Sequence, residues 1–237
     1  MSAQAQTSPA PSTRTHKIPP FTLRTRAGTD IWRKPPTHDV FDAPFHPSPL
    51  PPFPLKAFQR ARITFVLPPT ETLRKFDQAG LLLVLTKPGQ KSKWLKTGIE
   101  YYQSTPYLST VCTDRYSDWS IVPLPPSTPS STSNPLSTSS SNPPSTSVSS
   151  RPSATIEVQR DGGPTGKTLW VYHIVRDSRG EEIERRPLRE VAWFFADAED
   201  EWEVGVGGAV ARPTAEGGEG ELEAEFGEGV EVEVLVG

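Results

Sequence analysis

The sequence predicts an all-β sandwich. Three observations carry this: about ten short runs of strand-like composition, scarcely a helical periodicity anywhere, and polar or glycine-containing turns at most junctions. The block from Phe76 to Ser120 organises the rest, because three strand-like runs follow one another there with short turns between them.

In chain order, FTLRTR (21–26) alternates, and Asp30-Ile31-Trp32-Arg33 extends before prolines stop it. The proline-dense stretch 34–54 reads as a loop packed over a sheet end; its His38, Asp42 and His46 match no compact metal-ligand spacing and are expected as exposed side chains. In ARITFVL (61–67), Ile63, Phe65 and Leu67 share one face. Residues 79–86 are apolar after Gly80, as suits a strand covered on both sides. KWLKTGIEYY alternates: Leu95, Thr97, Ile99 and Tyr101 point one way, and Trp94, Lys96, Gly98, Glu100 and Tyr102 the other. The second set, two aromatics flanking a Lys, a Gly and a Glu, suits the floor of a groove better than a solvated wall. PYLSTVCTDRYSDWS follows, placing Trp119 and Asp118 beside that floor.

From 123 to 153 the chain is mostly Ser, Pro and Thr, a low-complexity insertion without a core that is expected to join two neighbouring strands. Strands resume at ATIEVQ (154–159) and TLWVYHIV (168–175), where His173 reads as a buried, hydrogen-bonded histidine. After a turn at 177–180 come REVAWFF (189–195), an acidic turn DAEDE, EVGVGGAVAR (203–212), a Gly/Glu-rich loop over 215–229 and a closing strand at 230–236. Pairing between the alternating ends of the chain would suit a jelly roll. The organisation expected is a disordered tail over 1–17, whose polar composition buries too little to order it, and one domain over 18–237 interrupted by 123–153.

Net charge is −3 and no Lys/Arg stripe appears, which argues against a nucleic-acid partner. A single cysteine, Cys112, excludes an intrachain disulfide framework and suits the cytosol, where it serves as a small buried hydrophobe. The amino terminus lacks the apolar core of a signal peptide and no window has the length of a membrane span, so a cytoplasmic protein is expected.

Three motifs fail as chemistry. GGPTGKT (162–168) has three residues between its glycines where a phosphate loop needs four, and a strand follows it; a hairpin turn is expected. The acids of DAEDE follow no alternation across a cleft and read as a solvated turn. No G-x-S-x-G marks a serine nucleophile.

The ordered set FDQAGLLL, WLKTGIEY and LSTVCTDRYSDWS, preceded by TDIWRKPP and followed by LREVAWFF and VGVGGAVARP, resembles the enolase-regulator-like family over about 21–236. That resemblance implies a concanavalin A-like jelly-roll β-sandwich, a cytoplasmic setting and a regulatory role in glycolytic metabolism, with no catalytic residues to carry over. The positions matching its motifs are Trp32, Asp77, Gln78, Gly80, Trp94, Lys96, Gly98, Glu100, Ser117, Asp118, Trp119, Arg189 and Glu190.

The candidate ligand-binding residues are therefore Trp32, Asp77, Gln78, Trp94, Lys96, Glu100, Tyr102, Asp118, Trp119 and Arg189, with no catalytic residue, metal or cofactor assigned. Indole faces stack on sugar rings while charges and amides fix hydroxyls. A non-catalytic binder of a metabolic enzyme of the enolase kind, or of a carbohydrate or small polar ligand, is expected. The alternatives are a lectin or a glycoside hydrolase using Glu100 and Asp118 as acid and base; a Glu100 kept ionised by Lys96 or Arg189 argues against the latter.

Overall fold

The computed structural model describes residues 12–47, 50–125, 151–196 and 199–236. Its strands are β1 (Ser12–Ile18), β2 (Phe21–Thr25), β3 (Ile31–Lys34), β4 (His38–Phe41), β5 (Phe45–His46), β6 (Phe53–Pro54), β7 (Phe58–Val66), β8 (Gln78–Thr86) and β9 (Lys93–Tyr102). They continue with β10 (Thr105–Thr113), β11 (Ser117–Pro123), β12 (Ser153–Arg160), β13 (Leu169–Arg176), β14 (Glu182–Val191), β15 (Glu203–Ala211), β16 (Leu222–Phe226) and β17 (Val230–Val236).

Among the described residues these strands form two large sheets and a ribbon. One sheet runs β1-β17-β7-β12-β13-β14, with β16 bonded to both β7 and β2; the other runs β11-β10-β9-β8-β15-β5, with β6 also on β15; β3 and β4 pair alone. The chain is an all-β sandwich. Its first and last strands pair, Ser12 opposite Val236 through Ile18 opposite Val230.

Period two divides each strand between the inside of the sandwich and its outside. Ala79, Leu81, Leu83 and Leu85 of β8, with Leu95 and Ile99 of β9, meet Ala61, Ile63 and Phe65 of β7 and Ala154, Ile156 and Val158 of β12 in one apolar core. Each of the buried Leu, Ile, Val and Phe side chains among them is worth about 1.5–3 kcal/mol of transfer free energy. Cys112 lies in this core, where burial pushes its thiol up to about 12, so it is an inert thiol at neutral pH.

The outer face of the β8–β9–β15 region is not bare. The ribbon lies over one end of it, so that Ile31 and Ala43 pack with Leu82, Trp94, Ala209 and Ala211 in a second apolar cluster. The edge strand β5 also crowds β15, where a Cβ at Gly207 would sit 2.2 Å from the His46 carbonyl oxygen.

Several expectations are corrected. Residues 12–17, assigned to a disordered tail, are strand: their order comes from the ladder to β17, because Ile18 is the one buried side chain of β1. REVAWFF does not continue as strand; β14 ends at Val191 and a turn carries Phe194 and Phe195 into the core together. The Gly/Glu-rich stretch contains β16, whose Leu222, Ala224 and Phe226 are buried. The insertion does not connect neighbouring strands: β11 edges one sheet and β12 lies inside the other. DAEDE is not simply a solvated turn, because Glu199 accepts from the buried Arg160 at 2.6 Å and from Lys167 at 2.5 Å. His46 is not a free imidazole, its ring centroid lying 4.3 Å from that of Phe21. The expectations for residues 1–11 and for 126–150 of the insertion lie outside the described residues. Among the described residues no helix is long and apolar enough to cross a membrane, and no three His, Cys, Asp or Glu side chains gather as a metal set.

Candidate functional site

The outer face of β9 carries the row Trp94, Lys96, Gly98, Glu100 and Tyr102, and the ladders lay its neighbours alongside. Gly80 of β8 and Ser109 of β10 stand opposite Gly98, Gln78 and Tyr107 stand opposite Glu100, and Trp119 of β11 stands opposite Val111, itself opposite Lys96. Ala209 faces Gly80 and Ala211 faces Gln78 across β15.

Gly80 and Gly98 form the floor. A Cβ on either would lie 2.6 Å from the other's Cα, so only glycine fits at both positions. Above them opens a cavity of about 30 Å³ lined by Gln78, Lys96, Glu100, Ser109, Ile31 and the two small alanines of β15. That is room for a water-sized group.

Two ionisable side chains are held beside this cavity at a desolvation cost. Glu100 is buried, and its Oε2 accepts from Ser109 Oγ at 2.7 Å and from Trp119 Nε1 at 3.0 Å. Burial raises its pKa above the usual carboxylate value; Lys96 and the two hydrogen bonds oppose that shift, and the charge of Asp30 adds to it. Lys96 lies 3.5 Å from Asp30 Oδ1 and beneath Trp32, its Nζ 5.8 Å from the indole centroid. Burial lowers its pKa, against the pull of Asp30 and Glu100. Of the two cations expected beside Glu100, Lys96 opposes the upward shift without cancelling it, and Arg189 is on the other sheet.

The aromatic end of the row is a corner. Tyr102 stacks on Phe76 with centroids 5.4 Å apart and meets Trp119 edge-on at 5.4 Å. At the opposite end Trp94 is fully buried, with Arg33 4.3 Å above its ring and Phe41 against its edge. It supports the ribbon and is closed off from any ligand.

The structure thus brings together Trp32, Gln78, Lys96, Glu100, Tyr102 and Trp119. It separates the other four candidates from them. Asp77 is fully buried and clamped by Arg212, with Oδ2 accepting from Nη2 at 2.7 Å, so it holds the β8 entrance turn. Asp118 stands opposite Cys112, on the inner side of β11, where it pairs with Arg189 across the edge of the sandwich. Consecutive strand residues face opposite ways, which is why Trp119 reaches the site and Asp118 does not. Glu100 and Asp118 consequently cannot act on one substrate as acid and base.

Asp30, Ser109, Ala209 and Ala211 were not among the candidates. The alternation of Gly205, Gly207, Ala209 and Ala211 was a readable sign that something approaches this face closely; nothing local marked Asp30 or Ser109.

Comparison with other proteins fits this architecture. A protein from Saccharomyces cerevisiae described as functionally unknown superimposes with a TM-score of 0.52 at 17% identity, over 92% of this chain and 95% of that one, a likeness of fold. A GH43 protein from Bacillus licheniformis overlaps at a TM-score of 0.44 and 11% identity, over 91% of this chain and 33% of that one, too little to argue from. Uncharacterized protein AN7484 of Emericella nidulans is 35% identical over 201 residues, 84% of this chain and 80% of that protein. Residues 9–226 match the family described as "Protein of unknown function (DUF1349)", and the chain belongs to that family.

Proposed function

We propose that this chain is a non-catalytic binding and regulatory protein of the cytosol, which takes a small polar or carbohydrate ligand on the outer face of β9 and modulates a glycolytic enzyme of the enolase kind. The observation that supports it is the burial of Lys96 and Glu100 on either side of a glycine floor. Retaining two desolvated ionisable groups beside an open cavity costs solvation free energy that apolar residues would spare, so the arrangement is kept for what it can hold.

The polar lining offers both donors and acceptors to an incoming hydroxyl. Lys96 and Gln78 donate, while the free lone pairs of Glu100 and Ser109 accept. Calorimetric titration of polyols, sugars and glycolytic intermediates against the wild type and Glu100→Gln tests the binding half. Enolase turnover measured with and without the chain tests the regulatory half; an unchanged rate at saturating chain removes it.

One observation favours hydrolysis of a glycoside instead: burial shifts the pKa of Glu100 upward, the direction a general acid requires. The reading lacks a second carboxylate, since Asp118 faces away and Asp30 is paired to Lys96. A flat response across chromogenic glycosides and polysaccharides removes it.

A further inference from the structure

The 30 Å³ cavity admits a hydroxyl or a water but no ring, so whatever sends a group into it must be held outside it. The surface beside Glu100 is suited to do that. Phe76, Tyr102 and Trp119 are each half-buried and mutually packed, Phe76 against Trp119 at 6.3 Å and 73°, and Tyr107 flanks Tyr102 at 6.5 Å. Tyr102 is two residues beyond Glu100 on the same face, about 7 Å along the strand.

Phe76 occupies this corner at a conformational cost. Its φ is +69°, a left-handed conformation that a bulky side chain rarely adopts, worth about 1–3 kcal/mol of strain. The surrounding bonds enforce it: Phe76 N–H donates to the Tyr101 carbonyl at 2.6 Å, Tyr101 N–H donates to the Asp77 carbonyl at 2.8 Å, and Gln78 Nε2 donates to the Phe76 carbonyl at 3.1 Å. Gly would occupy the position without strain, and the ring would be lost.

The charges around the corner select against ionic ligands. Lys75 Nζ already lies 4.9 Å from the Phe76 ring centroid and 5.8 Å from that of Tyr102, which repels a second cation from these faces. Asp30 offsets Lys96 at 3.5 Å, which reduces the attraction for an anion. A neutral molecule with an apolar ring face and hydroxyls on its edge satisfies both ends.

We infer that the ligand of this face is an uncharged saccharide of two or more rings, with one ring stacked on the Phe76–Tyr102–Trp119 corner and a hydroxyl of its neighbour inserted beside Glu100. This rests on the binding reading above and adds to it a stacking subsite and a ligand class.

The test is titration of neutral xylo-, cello- and malto-oligosaccharides of two to six units, the parent monosaccharides, glucose 6-phosphate and choline, followed by tryptophan fluorescence and calorimetry. Wild type, Phe76→Gly, Tyr102→Leu and Glu100→Gln are compared. The inference expects one oligosaccharide series to bind more tightly than its monosaccharide and to weaken about tenfold in both Phe76→Gly and Tyr102→Leu. Phe76→Gly remains folded because its backbone conformation suits glycine. Oligosaccharide binding equal to that of the monosaccharide, tightest binding of glucose 6-phosphate or choline, or indifference to both aromatic substitutions overturns the inference. A monosaccharide whose binding needs Glu100 but neither aromatic ring overturns it while leaving the small-ligand reading standing; silence across all probes overturns both.

Discussion

The indole N–H of Trp119 donates to Glu100 Oε2 at 3.0 Å and lies 3.1 Å from Ser109 Oγ, which itself donates to the same carboxylate oxygen at 2.7 Å. A side chain from the edge strand β11 thereby reaches across β10 to a buried acid on β9. Because desolvation outweighs these bonds, the folded protein keeps the Glu100 proton at pH values where the unfolded chain has released it. Native stability from this group is therefore lost as pH rises from the ordinary 4.5 through the raised folded value. Glu100→Gln should melt close to wild type at pH 4 and gain on it progressively towards pH 7. An advantage that shrinks over that interval contradicts the assigned direction.

His173 carries the opposite dependence. It lies in the inner row of β13 opposite Ile156, and its Nδ1 has no hydrogen-bond partner among the described residues, contrary to the bonded histidine expected from sequence. Burial lowers its pKa, the charge of Arg186 lowers it further, and Glu184 opposes the shift. The unfolded chain then binds a proton more readily, so stability present above pH 6.5 is lost as pH falls towards the depressed value. Denaturation midpoints between pH 5 and 7.5 should flatten in His173→Phe. An unchanged slope would assign the acid sensitivity elsewhere.

Trp94 separates packing from hydrogen bonding. Its Nε1 also lacks a partner among the described residues, yet the ring is covered by Arg33 and Phe41. Trp94→Ala should cost about 3–5 kcal/mol and loosen the β3–β4 ribbon. Trp94→Phe should cost less than about half of that, since it removes a donor that gains nothing. Equal losses in urea unfolding would show that the N–H is satisfied after all.

Legibility followed the range of the interactions. The division of β9 into Leu95, Thr97 and Ile99 against Trp94, Lys96 and Glu100 could be read because alternation is local and its side chains differ sharply. β1 could not, since STRTHKI has little pattern and is ordered by a partner more than 200 residues away. β16 was hidden by composition: the glycines and glutamates around LEAEF outweighed three alternating apolar residues. In the site, Trp119 followed from its strand and Asp118 was misplaced by treating adjacent residues as one feature. Asp30 reaches Lys96 only because the ribbon folds back over β9, a tertiary event with no local signature.

Asp77 shows what such a long-range partner does. Its Oδ1 accepts from Arg212 Nε at 3.0 Å and its Oδ2 from Nη2 at 2.7 Å, both side chains being almost wholly buried, and Oδ2 also accepts from the Arg74 backbone N–H at 2.8 Å. Asp77→Leu leaves the guanidinium without a counter-charge in a site closed to water, a loss of about 3–5 kcal/mol. Arg212→Met strands the carboxylate to similar effect. Replacing both together, as Asp77→Leu with Arg212→Met, removes the two desolvation costs at once and should recover more than half of either loss. Urea denaturation of the four proteins of that cycle measures the coupling. Additive losses would mean that the pair contributes no mutual stabilisation and that Asp77 holds the turn before β8 through Arg74 alone.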